Sequence, residues 1–235
     1  MEGKIVMPRS KGLLSKFFSS IFSRSNVNSQ RVSIFIDGSN LYHSLDENCK
    51  RFDLDFYAFA QKLCASRKLT RIYYYNVQRD PDRGKQAFED QLKFLTALKD
   101  IPHLEIRLGL SKARGDITVE KGVDIMIATD ILQYAWNSSY DVAILVSGDG
   151  DFSYAVQSAK NSGAQVEVAA FSSNLSSELA NSADYCKILT VPYFKYLWTK
   201  NRRPKKHNGP YRNNEKNRPF LRSNKNGPHK NNNSF

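Results

Sequence analysis

The sequence predicts an α/β fold, a doubly wound and mostly parallel central sheet with helices on both faces, spanning residues 31–198. Two observations carry that expectation. The unbroken apolar run VAILV at 142–146 and the buried-type run VSIFID at 32–37, which ends in an acid, have the composition of short strands buried on both faces. Such runs alternate with segments of helical period along the chain, which is how βαβ units read in one dimension.

The elements follow in order. The strand 32–37 ends in Asp37, and Gly38, Ser39 and Asn40 lead into a helix opening LYHSL. Asp53 or Asp55 starts a second helix, LDFYAFAQKLCA, and TRIYYYNVQ at 70–78 is a β-branched and aromatic strand whose tyrosines 73–75 are expected in the core. Arg79 to Lys85 is a turn-rich loop, Gln86 to Lys99 an amphipathic helix, Leu104 to Leu110 a strand, and Ser111 to Glu120 a loop or hairpin. KGVDIMIATDILQYAW at 121–136 reads as an apolar helix with Asp124 four residues in and Asp130 embedded further on. VAILV then runs into SGDGDF at 147–152 and a helix to about Ser162. In that turn the glycines beside Asp149 permit a sharp reversal, and Asp151 is placed to cap the helix. AQVEVAAF at 164–171, a helix near 175–183, a strand KILTV and a helix-like stretch to Trp198 complete the core.

Charge is divided unevenly among these parts. Residues 1–30 hold five Lys/Arg against one acid and 199–235 hold eleven against one, so of 35 basic and 23 acidic residues the core keeps 19 and 21. The surplus lies wholly in the flanks and implies a polyanionic partner, nucleic acid or an anionic surface. The segment beyond 198, dominated by Asn, Lys, Arg, Gly and Pro, lacks the apolar residues for a packed core and is expected to be disordered. GLLSKFFSSIFSR at 12–24 is apolar, basic and serine-rich; a disordered lead, a peripheral membrane-binding helix and a targeting peptide compete for it. Cys49, Cys64 and Cys186 are widely spaced and the four histidines scattered, so neither a zinc site nor a disulfide framework is suggested and a reducing, cytoplasmic setting is the simplest inference. The absence of GxGxxG and GxxxxGK leaves a nucleotide-binding enzyme without support.

Asp37 and Asp149 each end a buried-type strand, and if those strands are neighbours at the topological switch point both carboxylates open into one crevice. Asp151 follows on the next helix, and Asp124 on an apolar helix needs a partner, either Lys121 or a metal ion. Taken alone, SGDGDF is equally a solvated turn with a cap. Converging with Asp37 and Asp124, it is an all-oxygen ligand set, which suits Mg²⁺ or Mn²⁺ rather than zinc.

DGSN at 37–40, KGVDIMIATD at 121–130 and SGDGDF at 147–152 resemble the NYN domain of PIN-like nucleases, in particular the LabA-like branch. The likeness covers about 31–195 with the motifs in order. It implies a PIN-like fold and metal-dependent cleavage of RNA, with Asp37, Asp124, Asp149 and Asp151 as the acidic cluster and Asn40 as its hydrogen-bonding support. Asp130 also matches, but lies on another helix face and is read as structural.

The expected activity is therefore endonucleolytic hydrolysis of RNA, preferentially single-stranded, by a metal ion on these carboxylates, with no side-chain nucleophile. Arg79, Arg83 and Lys85 from one loop and Lys112, Arg114 and Lys121 from another leave strands on the same edge and are candidates to grip phosphates. The competing reading is a non-catalytic RNA-binding or regulatory module. The sequence does not specify the oligomeric state.

Overall fold

The computed structural model describes residues 29–114 and 117–199, with backbone alone at Arg83 and 111–121. The N-terminal segment 1–28 and the basic tail beyond Thr199, for which a peripheral or disordered lead and a disordered tail are expected, lie outside the described residues.

Seven strands form one sheet in the order β4-β3-β2-β1-β5-β6-β7. They are β1 (Arg31–Asp37), β2 (Lys68–Gln78), β3 (Leu104–Arg114), β4 (Ile117–Lys121), β5 (Val142–Val146), β6 (Gln165–Phe171) and β7 (Tyr185–Leu189). All neighbours pair in parallel except β3 with β4. The chain winds outward from β1 through β2 to β3, then returns to β5 on the other side of β1 and continues to β7. The switch point therefore falls between β1 and β5, whose register runs from Val32↔Val142 to Ile36↔Val146.

The helices are α1 (Gly38–Cys49), α2 (Phe56–Cys64), α3 (Lys85–Lys99), α4 (Val123–Trp136), α5 (Ser153–Asn161) and α6 (Ser177–Ser182). Alternation along β1 divides the core in two. Val32, Ile34 and Ile36 pack with residues of α1, α2 and α3. Phe35 packs on the opposite face with Ile127 and Ile131 of α4, Val156 of α5 and Leu179 of α6. Tyr73, Tyr74 and Tyr75 are buried among these two layers, as expected of a central strand. A buried ion pair, Arg67 to Glu167 at 2.6 Å, ties the segment after α2 to β6.

Several boundaries differ from expectation. Asp55, not Asp53, caps α2, its carboxylate accepting from the Ala58 N–H at 2.8 Å, while Asp53 pairs with Arg51. Of the loop or hairpin expected at 111–120, the hairpin is found: Leu110–Arg114 pairs antiparallel with Ile117–Lys121 and runs past the end of β2, whose register with β3 stops at Gln78↔Leu110. The last strand begins at Tyr185, and the stretch toward Trp198 forms an isolated antiparallel bridge from Trp198 to Leu54 and, in place of the expected helix, a short 3-10 turn, Val191–Phe194. Pro192 in its first turn supplies no amide donor to extend a strand. Helix α4 starts at Val123, after Gly122 takes the left-handed φ of 89°.

Candidate active site

The carboxyl edge of β1 and β5 gathers the candidate acids. Asp37, 4% exposed, caps α1: its Oδ1 accepts from the Asn40 N–H at 3.0 Å and from Ser39 Oγ at 3.1 Å. Across the switch point Ser147 Oγ donates to Asp37 Oδ2 at 3.2 Å. The α1 start approaches β2 so closely that a Cβ on Gly38 would stand 2.5 Å from the Tyr74 hydroxyl, so only glycine lets the DGSN turn sit there.

Asp149 caps a 3-10 turn, Gly150–Phe152, by accepting from the Asp151 N–H at 3.0 Å. This corrects the expected division of labour, because the capping acid is Asp149. Asp151 is exposed, and α5 begins after Phe152 without a side-chain cap. The flanking glycines are also explained differently. Neither Gly148 nor Gly150 has a positive φ. Instead the loop after β6 packs onto them: a Cβ on Gly148 would fall 2.1 Å from the Asn174 carbonyl oxygen, and one on Gly150 would be 3.0 Å from Ser176 Oγ.

Asp124 occupies the first turn of α4, not its fourth residue, and its side chain is exposed. That turn faces the same edge. Partial desolvation, then the negative charges of Asp37, Asp149 and Asp151, hold Asp124 above the ordinary carboxylate range. Burial pushes Asp37 up as well, hydrogen bonds from Asn40, Ser39 and Ser147 oppose the shift, and the charge of Asp149 adds to it. Among the described residues none of these four acids has an ion-pair partner. A nearly buried carboxylate without a cation is costly, so the arrangement fits a cation or a proton. Among the described residues no group of three or more His, Cys, Asp or Glu side chains is placed to hold a metal ion by itself.

Asn40 bonds on two sides of the site. Its backbone N–H donates to Asp37. Its Oδ1 accepts from the Gly148 N–H at 3.2 Å and from Asn174 Nδ2 at 2.8 Å. Asn174, which also donates to Ser44 Oγ at 2.6 Å, is the residue sequence reasoning missed. The loop it sits in also anchors the turn through the Ser176 N–H, which donates to the Gly148 carbonyl at 2.9 Å.

Asp130 belongs to another network. Tyr75 Oη donates to Asp130 Oδ2 at 2.7 Å, and Arg107 lies 3.9 Å from the same oxygen. Of the basic candidates, Arg79 follows β2 with its N–H on Gln91 Oε1 at 2.8 Å, and Lys85 is exposed at the start of α3. Arg83 lies in the 3-10 turn 81–83, Lys112 and Arg114 on the protruding end of β3, and Lys121 at the end of β4.

The NYN domain family model matches residues 31–190. The chain belongs to the NYN domain family. It is similar to the low amplitude and bright protein LabA of Synechococcus elongatus, 27% identical over 164 residues that cover 66% of this chain and 81% of LabA. An uncharacterised Sinorhizobium fredii protein, y4oD, is 36% identical over 73 residues, covering 31% of this chain and 33% of its own. The crystal structure of a Vibrio parahaemolyticus protein of unknown function shares the fold, with a TM-score of 0.57, 24% identity, and coverage of 69% of this chain and 94% of that one. NYN domains stand within the PIN-like superfamily, whose members are in general metal-using nucleases, so this LabA-like NYN protein has a nuclease-like, RNA-related fold. Among the described residues no helix is long and apolar enough to cross a membrane.

Proposed function

We propose that this NYN protein is a metal-dependent endoribonuclease that hydrolyses phosphodiester bonds of single-stranded RNA in the cytoplasm. Residues 31–198 are the nuclease domain, and the basic segments 1–30 and 199–235 are RNA-attracting flanks, the former also suited to peripheral membrane contact. The observation that carries this reading is the gathering of four acids at the switch-point edge, where Asp37, Asp149 and Asp151 raise the cost of ionising Asp124 and Asp149 raises that of Asp37, with no ion-pair partner for any of the four among the described residues.

Asp37, Asp124, Asp149 and Asp151 would hold Mg²⁺ or Mn²⁺, one or two of them directly and the others through waters that the ion keeps, and its oxygen preference matches this donor set. Once bound, the ion lowers the pKa of a water and neutralises charge developing on the phosphate. The chain's own part is positioning and proton handling. Ser39, the Asn40 N–H and Ser147 fix the orientation of Asp37. Asn40 sets the height of the Gly148–Asp149 turn. Asp151, exposed beside Asp149, takes the proton from the attacking water. Arg79, Arg83, Lys85, Lys112, Arg114 and Lys121 offset the acidic crevice by holding phosphates of the strand.

A second reading, an RNA-binding or regulatory module without chemistry, rests on the separation of the positive charge from the core, which keeps 19 basic and 21 acidic residues while the flanks hold the surplus. Incubating the full chain with end-labelled single-stranded RNA in Mg²⁺, Mn²⁺ or EDTA separates the two. Internal cuts that need the metal are expected. RNA that is retained in a gel shift yet stays intact under every metal would establish the binding module.

A further inference from the structure

Two large apolar side chains at the rim of the acidic crevice are open to solvent. Tyr154, in the first turn of α5, is 83% exposed, and Ile125, in the first turn of α4, is 72% exposed. Each adjoins an acid of the site. Ile125 directly follows Asp124. Tyr154 lies three residues beyond Asp151, where the 3-10 turn passes straight into α5, so the two share one helical face about 5–6 Å apart. Helices α4 and α5 pack against each other and begin at the same sheet edge. The outward face of α5 is otherwise polar: Gln157 Nε2 donates to Asn161 Oδ1 at 3.1 Å, and the apolar residues Ala155, Val156 and Ala159 are buried.

Singly exposed apolar residues are commonplace. Here an aromatic ring and an aliphatic side chain instead flank four carboxylates that repel phosphate oxygens but not the uncharged faces of bases. A tyrosine ring in that setting stacks on nucleobases. We infer that Tyr154 is a base-stacking contact at the mouth of the site, with Ile125 packing on a neighbouring base, and that together they select strands whose bases beside the reacting phosphate are unpaired. This rests on the nuclease reading above.

The test compares wild type, Tyr154→Ala and Tyr154→Phe as full chains, binding a short fluorescent oligouridylate and a strand of equal length that is abasic throughout. EDTA blocks cleavage, and raised salt suppresses the contribution of the flanks. Tyr154→Ala is expected to weaken oligouridylate binding about 5- to 100-fold and to leave the abasic strand unchanged, while Tyr154→Phe binds as wild type. Because Tyr154 is exposed, the substitution leaves the fold intact. Equal binding of oligouridylate by wild type and Tyr154→Ala, with wild type still cleaving RNA in Mn²⁺, would overturn the stacking contact alone. A wild-type chain that neither cleaves nor distinguishes the two strands would overturn the nuclease reading with it.

Discussion

Asn174 Nδ2 donates to Asn40 Oδ1 at 2.8 Å, and that same oxygen accepts from the Gly148 N–H at 3.2 Å. One acceptor thus joins the start of α1, the end of β5 and the loop after β6, and through Gly148 it sets where Asp149 stands. Asn174→Ala removes the tie without touching an acid. A displacement of about 1 Å at a reacting group costs up to about 100-fold in rate, so the variant is expected to lose 10- to 100-fold in kcat with little change in KM. Steady-state cleavage alongside a thermal melt checks this, since a purely structural role would lower Tm and leave kcat intact.

The acids of the crevice make the stability of the fold depend on pH. Asp37 and Asp124 titrate above the ordinary range in the fold, so the folded chain binds protons more readily than the unfolded chain across that window. Their contribution to stability is therefore favourable below the unfolded value and declines as pH rises through the folded one. Asp141, held low chiefly by its hydrogen bond from Arg31, acts in the opposite sense, its contribution being lost as pH falls. Asp37→Asn keeps an N-capping oxygen and removes the buried charge, so the metal-free variant is expected to melt a few degrees higher than wild type at neutral pH, about 2–4 °C for each kcal/mol gained. Adding Mn²⁺ should raise the Tm of wild type and not that of the variant. Differential scanning calorimetry from pH 4 to 8 reads both effects.

Asp130 is separable from the chemistry. Its carboxylate satisfies the Tyr75 hydroxyl, which burial, followed by the hydrogen bond and charge of Asp130, keeps protonated as a donor. Asp130→Ala leaves that buried hydroxyl without its acceptor, at about 1–3 kcal/mol. Asp130→Asn retains an acceptor oxygen and should recover most of the loss. Chemical denaturation measures the difference, and cleavage per folded molecule should stay at the wild-type rate in both.

The flank 199–235 carries eleven Lys/Arg against one acid. Removing residues 200–235 is expected to weaken RNA binding and to flatten the dependence of log Kd on log salt, because fewer counterions are released. A fluorescence titration across salt concentrations gives the slope, and an unchanged slope would remove the tail from RNA binding.

The frame of the site was legible because buried parallel strands announce themselves. The runs ending at Asp37 and Val146 are buried along nearly their whole length, and the two strands pair in parallel as a doubly wound order allows. What the sequence concealed depends on local backbone choices or on distant contacts. Helix α4 starts at Val123 because Gly122 turns left-handed, which places Asp124 in the first turn, where the helix dipole favours negative charge. Two acids two residues apart offer equivalent caps on paper, and only the turn at Gly150 decides that Asp149 takes the role. Asn174, in a serine-rich loop 134 positions from its partner Asn40, carries no local signal at all.

The central claim is that Asp149 belongs to a metal-using hydrolytic site, and comparing wild type with Asp149→Asn on one labelled single-stranded RNA in Mn²⁺ tests it most directly. Asparagine keeps a capping oxygen for the Asp151 N–H, so the turn should survive while one anionic oxygen donor is lost. The account predicts metal-dependent internal cleavage by wild type and a loss of at least about 100-fold in the variant, in line with removal of a charge-stabilising group. Cleavage by Asp149→Asn at the wild-type rate would contradict it.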